Sequence, residues 1–411
     1  MAILDINAIN GALKEYYNGQ KVASLIFQGR PTFAMIKKNT NFVGETYPLP
    51  LLSSTGAGSN SFSSAYTNQT PGQYKKFQLT RKYNYGVGTI SREAMMASAN
   101  DIGAFISAKS FEIDQKIQQV SLEMSMALFR SGTGTLGVIS SITSGVITLA
   151  SPSDARNFSI NQLLQQATSD GGTPVAAGGY VIAISPDAGT ITVSLTLGGS
   201  AATPTGWVAT GYLVPNGNSN AGVSGLLGWF PVTAPVGGDN FYGIDRSTAP
   251  NLAGTRYASV GGESVQDSLT KAVVQLMQNS TTGKADVIVM NPVSWQQLSL
   301  EMGAKIQVQR MDVNTKRDGA EVVVGFTGFQ MATALGILNV VPDRSCPPQT
   351  AFILDTDVLE IASLGQAPEL QDERGAFLNL IDTDAAQYRI SAYWNLACHN
   401  TSACAVVSLQ Y

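Results

Sequence analysis

The 411-residue sequence predicts an α+β fold in which one long helix is followed by an all-β insertion and then by mixed helix and strand. Three observations carry that prediction. In residues 101–130, Ile102, Ile106, Ile113, Ile117, Val120, Met124 and Leu128 recur at helical spacing, with no Pro and no Gly after Gly103. Residues 132–231 are dense in Gly and Thr and nearly free of charge. From Ser264 onward, helix-period and strand-like runs alternate.

The elements follow in order. Within 5–28, Ile6, Ile9, Leu13 and Tyr17 predict one or two short helices, interrupted at Gly19 and at Gly29-Arg30-Pro31. This piece is too small to bury its own apolar face. Residues 42–51 and 74–90 read as strands, the second with Phe77, Leu79, Tyr83, Tyr85 and Val87 largely at alternate positions. Between them lie about twenty small polar residues, which makes a long hairpin without a core, and such a hairpin needs a neighbouring surface. The helix 101–130 would span about 45 Å at 1.5 Å per residue. In the insertion, 138–149, 180–184 and 190–197 read as short strands split by glycine turns. Beyond it, Val265, Leu269, Val273, Leu276 and Met277 predict a helix, 286–290 a buried strand, and Pro292 opens a helix through Met302. Residues 302–319 read as a charged, loose segment. Strands are expected near 322–330, 336–341, 351–354, 358–363, 386–393 and 403–409.

Composition narrows the function. Charged residues are only 13%, and a single histidine leaves every histidine-based metal site or proton relay to His399. Three cysteines cannot build a disulfide framework, and no secretory leader opens the chain, so a reducing cytosol is expected. The uncharged run 188–238 is broken by Pro204, Pro215, Pro231 and Pro235 and is no membrane span. The net charge of −4 divides unevenly, with residues 1–92 carrying +7 and 341–411 carrying −6. Such a split suggests contact with another part of the molecule, a second copy or a polyanion, against the plainer reading of chance charges on solvated loops.

The motifs are sparse. Gly132, Gly134 and Gly137 have dinucleotide-like spacing, but the helix precedes them and strands follow, the reverse of the required order, so a glycine helix stop is the better reading. Cys398-His399 with Cys346 and Cys404 is the one grouping with nucleophile or metal potential. On a strand, however, adjacent side chains diverge, so buried structural thiols are favoured. Asp355/Asp357 and Asp382/Asp384 are carboxylate pairs at strand spacing, read as turn caps or a solvated face before acid–base chemistry or a cation site. No catalytic group, cofactor or metal site is assigned. The basic residues of 1–92 interleave with tyrosines, but no nucleic-acid module is present and only diffuse phosphate attraction is expected.

Several stretches, in this order, resemble the major capsid protein of tailed bacteriophages, the Hong Kong 97-like fold. They are Ile90-Ser-Arg-Glu-Ala-Met-Met with Asp101-Ile-Gly-Ala-Phe, Phe241-Tyr-Gly-Ile-Asp-Arg-Ser with Leu252-Ala-Gly, and Val287-Ile-Val-Met-Asn-Pro-Val-Ser-Trp. Asp357-Val-Leu-Glu-Ile and the ending from Trp394-Asn-Leu-Ala-Cys-His through Val407 complete the set. The resemblance implies an N-terminal arm (1–41), an extended loop hairpin (42–83) and a peripheral domain with the spine helix (84–131, completed by about 360–390). The all-β insertion (132–231) and an axial domain (232–359 and 391–411) would follow.

It further implies a non-enzymatic shell subunit that closes into pentamers and hexamers of an icosahedral head around double-stranded DNA. An encapsulin-like compartment shell is the alternative, and a cysteine-dependent enzyme at Cys398/His399 the remote one. The hairpin tip 53–72 has no lysine, so the lysine–asparagine crosslink of some members is not expected. The spine begins near residue 100, leaving no room for a cleaved scaffolding segment. Expected partners are therefore a separate scaffolding protein, a portal, decoration proteins and packaged DNA, with no membrane, in a virion assembled in the host cytoplasm. The charge split nominates Lys37, Lys38, Lys75, Lys76, Arg81, Lys82, Asp382 and Asp384 as subunit contacts, the basic arm and loop meeting acidic strands of adjacent copies.

Overall fold

The computed structural model describes residues 30–54, 56, 59, 61–97, 108–280, 283–302, 308–317, 320–371 and 378–410. The helices expected in 5–28, with most of the arm, lie outside these residues, as does the start of the helix expected from 101.

A sheet and the spine helix form the centre. The strand Ala385–Cys398 pairs antiparallel with Lys82–Ser91 over ten residue pairs, from Ala385 opposite Ser91 to Trp394 opposite Lys82. It also pairs with Leu359–Ser363, against which Lys37–Asn39 of the arm lies parallel. The helix Ala108–Phe129 crosses this sheet, presenting Val120, Met124 and Leu128 at helical spacing, all buried. Close approach depends on two glycines in the strand. A Cβ at Gly86 would sit 2.7 Å from Val120, and one at Gly88 would sit 2.2 Å from the Tyr388 ring, whose hydroxyl donates to the Glu112 carbonyl (3.0 Å). The division expected at residue 391 falls inside Ala385–Cys398, which lies wholly in this sheet. The two-sided burial of that strand reads the same in either domain.

The strand expected over 74–90 is two strands broken at Arg81. Gln73–Thr80 pairs with Thr46–Ser54 to make the loop hairpin, while Lys82–Ser91 belongs to the central sheet. Alternation alone does not reveal this change of partner. The hairpin base is anchored in its own subunit. Leu49, Phe77 and Leu79 are buried, and the Phe77 ring meets Trp229 edge-on at 5.1 Å between centroids. Among its described residues, by contrast, the outer half buries no side chain. Pro48 and Pro50 lie in the outer strand, which can offer no N–H there to a further strand.

The insertion is a closed six-stranded antiparallel barrel. Around it run Tyr212–Pro215, Gly137–Thr143, Val146–Leu149, Thr190–Ser194, Gly179–Ser185 and Leu163–Ala167. Ser144 and Gly145, both at positive φ, form the two-residue turn of its first hairpin. Ile139, Ile147, Leu164, Val181, Ile191, Val193 and Leu213 fill its interior. Two of its strands, Leu163–Ala167 and Tyr212–Pro215, are absent from the sequence reading. The insertion also ends earlier than residue 231, because Val223, Leu226, Trp229 and Phe230 are buried in the core of the main body. A lack of charge marks a buried core segment as readily as an insertion.

The axial part is a seven-stranded sheet ordered Thr255–Ala258, Ala405–Ser408, Thr350–Leu354, Val287–Met290, Gly336–Pro342, Ala320–Thr333 and Val308–Arg317. In the central strand, Ile288 and Met290 pack under the helices Val265–Asn279 and Pro292–Met302, while Val287 and Val289 face the main core. Ser264 caps the first helix by accepting from the Asp267 N–H (3.1 Å), and Asn291 caps the second by accepting from the Val293 N–H (3.1 Å). The segment 302–319, read as loose, contains the strand Val308–Arg317, paired over ten positions with Ala320–Thr333. Its charges obscured the pattern. No helix among the described residues is long and apolar enough to cross a membrane.

Candidate functional site

Among the described residues no catalytic constellation is brought together. Cys346, Cys398 and Cys404 are buried free thiols, and burial pushes the Cys346 and Cys398 thiols well up, away from the reactive thiolate. Cys398 faces inward with Cys404, while His399 turns outward and meets Glu360 at 2.8 Å. Asp355 accepts from the Asp357 N–H (3.0 Å) and caps a short 3-10 turn. No cluster of His, Cys, Asp or Glu suited to a metal ion occurs among the described residues. After Phe129 the Gly132 to Gly137 stretch runs out of the helix and into the first barrel strand.

The nominated cations occupy two patches. Lys37 donates to Asp357 of its own chain (2.8 Å), and each holds the other in its charged form. Lys38 lies over the Phe33 ring at 5.0 Å. At the hairpin base Lys75 donates to Thr248 Oγ1 (2.6 Å), and Lys76 borders an open hollow that also includes Asp245. Arg81 donates to the Phe42 carbonyl (2.9 Å) and Lys82 to the Asn220 carbonyl (3.2 Å). Most of these groups thus have intrachain partners, and the Lys37 acid is its own subunit's. Asp382 and Asp384 stand in an exposed turn at the far end of the central sheet, where Arg92 N–H donates to the Asp384 carbonyl (3.1 Å).

Three apolar features were missed. The hairpin tip carries a short helix, Phe62–Thr67, in which no residue is buried. Phe62 and Tyr66 stack there at 6.5 Å and are 87% and 73% exposed. Two aromatics four apart in a serine-rich run were the available signal. On the outer face of the central sheet, Tyr83, Tyr85 and Val87 form an exposed row, with Tyr85 and Tyr393 hydroxyls 2.7 Å apart. Beside that row a cleft of about 310 Å³ opens between the spine helix and the barrel, lined by Glu123, Met126, Arg130 and Leu136 among others.

The family model of the SU10 major capsid protein matches residues 208–409. No curated protein is matched. Among solved structures, the cyanophage A-1(L) capsid asymmetric unit aligns with 96% of this chain and 98% of its own, at a TM-score of 0.54 and 13% identity. The capsid of an empty GTA particle aligns with 97% and 96%, at 0.51 and 9% identity. At such identities the likeness establishes the fold, which extends over nearly the whole chain, while the family match covers the axial sheet and the long central strand. Over residues 208–409 the chain is thus similar to the SU10 major capsid protein family, and nearly its whole length takes the Hong Kong 97-like fold of phage capsid subunits.

Proposed function

We propose that copies of this chain close into pentamers and hexamers of an icosahedral head that encloses double-stranded DNA. The observation that carries this reading is the loop hairpin. Its base is packed into its own subunit, but its outer half exposes Leu52, Phe62, Tyr66 and Tyr74, which no described residue covers. A six-residue helix at the end of a two-stranded hairpin is marginal in water, so its surface is completed by a neighbouring copy. In this reading the chain performs no catalysis. The arm (1–41) and loop (42–83) are the elements that reach between copies, and the basic arm partly faces DNA. A separate scaffolding protein guides closure in the host cytoplasm, and a portal and decoration proteins complete the particle.

Electron microscopy of the purified protein, with the nucleic-acid and protein content of the particles measured, tests this proposal. Polyhedral shells that take up DNA are expected. Shells loaded with a protein cargo would instead support a compartment, and a protein that stays monomeric at every concentration would overturn the reading.

A further inference from the structure

The cleft of about 310 Å³ lies between the C-terminal half of the spine helix, the start of the strand Lys82–Ser91 and the base of the barrel. Arg130 on its wall is unusual for a buried cation. Its Nε is shielded without any hydrogen-bond partner, its Nη2 reaches only the Leu136 carbonyl at 3.4 Å, and it forms no ion pair. Asp154 offsets the desolvation of this guanidinium from a distance but makes no ion pair with it, and Glu123 on the cleft wall likewise makes none, so no carboxylate among the described residues bonds it directly. Met126, Leu136 and Val223 give the same cleft apolar walls. The occupant that fits is therefore a carboxylate next to an aliphatic side chain.

The turn 381–384 presents such a pair in the open. Residues 381–384 are Ile-Asp-Thr-Asp, closed by Leu380 N–H to the Ala385 carbonyl (3.0 Å) and Ala385 N–H to the Thr383 carbonyl (2.7 Å). Ile381 is 100% exposed, and no ion pair engages Asp382 or Asp384 among the described residues. The turn and the cleft stand at opposite ends of one strand pair. The turn adjoins Ala385 opposite Ser91, and the cleft adjoins Tyr83 and Tyr85, about ten residues or 30 Å away. A chain therefore cannot fill its own cleft, but one copy can fill the next. Contacts of that head-to-tail kind repeat around a ring when the rotation closes.

We propose that the turn 381–384 of one copy seats in the cleft of the next, Ile381 against the apolar wall and an aspartate on Arg130. The pairing rests on the shell reading and adds to it a named contact within a ring. The test uses the full-length chain with Ile381→Cys and Gln119→Cys, both exposed positions, the second at the mouth of the cleft. A short bis-maleimide added to assembled particles should link these thiols between copies and give a ladder of oligomers on a denaturing gel. The native thiols are buried and stay silent.

In parallel, the D382N/D384N double variant and R130M should each raise the concentration needed for assembly about tenfold. Combining them should add little, while the unfolding of the unassembled double-Asn variant, altered only at an exposed turn, stays unchanged. Particles that form normally but give no ladder, or assembly of the D382N/D384N variant at the original concentration, would overturn the pairing while leaving the shell reading intact. Failure of the unaltered chain to form particles would overturn the shell reading first and this contact with it.

Discussion

At Gly88 an added methyl would sit 2.2 Å from the Tyr388 ring, and that ring is held by its hydroxyl bond to Glu112 on the spine helix. Gly88→Ala should therefore push the helix and sheet apart and destabilise the subunit by about 1–3 kcal/mol, read as a lower midpoint in denaturant. Glu263 carries a pH dependence. Its carboxylate accepts from Lys271 (2.6 Å), Tyr257 and the Val260 N–H, and the Lys271 bond above all holds its pKa down at about 2. A carboxylate depressed on folding stabilises above its unfolded pKa, near 4.5, and that contribution is lost as pH falls from there towards 2. Glu263→Gln should flatten the acid limb of the stability profile, and an unchanged slope would contradict the assignment. The inert thiols were legible at this scale, because Cys398 and His399 diverge from a strand as adjacent residues must. Arg130 was not, since nothing in its neighbourhood in sequence marks a guanidinium whose Nε is buried without a hydrogen-bond partner.

Among the elements, those with a strong period were readable and those defined by a change of partner were not. The spine helix announced itself through Val120, Met124 and Leu128, and the axial helices through their caps and spacing. The run 74–90, however, kept its alternation across Arg81 while passing from the hairpin to the central sheet. The strand Val308–Arg317 was hidden by its charges, and Trp229 and Phe230 by the uncharged sequence around them. The hairpin tip carries the prediction at this scale. Replacing Phe62 and Tyr66 by Ser removes exposed side chains only, so the unfolding of the free subunit should move by no more than about 0.5 kcal/mol. Particle formation, followed by sedimentation, should fail nonetheless. Normal shells from this variant would mean that the tip is not a contact.

For the molecule as a whole, the charge split of +7 in residues 1–92 against −6 in 341–411 was visible at once. Its meaning shifted with the structure, because Lys37 satisfies Asp357 within one chain while Asp382 and Asp384 are left outward. An exposed pair such as Lys37–Asp357 contributes little by itself, so its effect on assembly depends on repetition across many copies. Replacing Lys37 and Lys38 by Glu places two acids beside Asp357 and Glu360. It should impair assembly, most strongly at low salt, where repulsion is least screened. Equal shell yields across a salt series would count against an electrostatic role. The central claim is that this chain is a surface-complementary shell subunit, and cryo-electron microscopy of the purified protein across a concentration series tests it most directly. The account predicts five- and six-membered rings closing into shells, with the hairpin tip of each copy lying on its neighbour. Monomers with a solvent-facing tip at every concentration would contradict it.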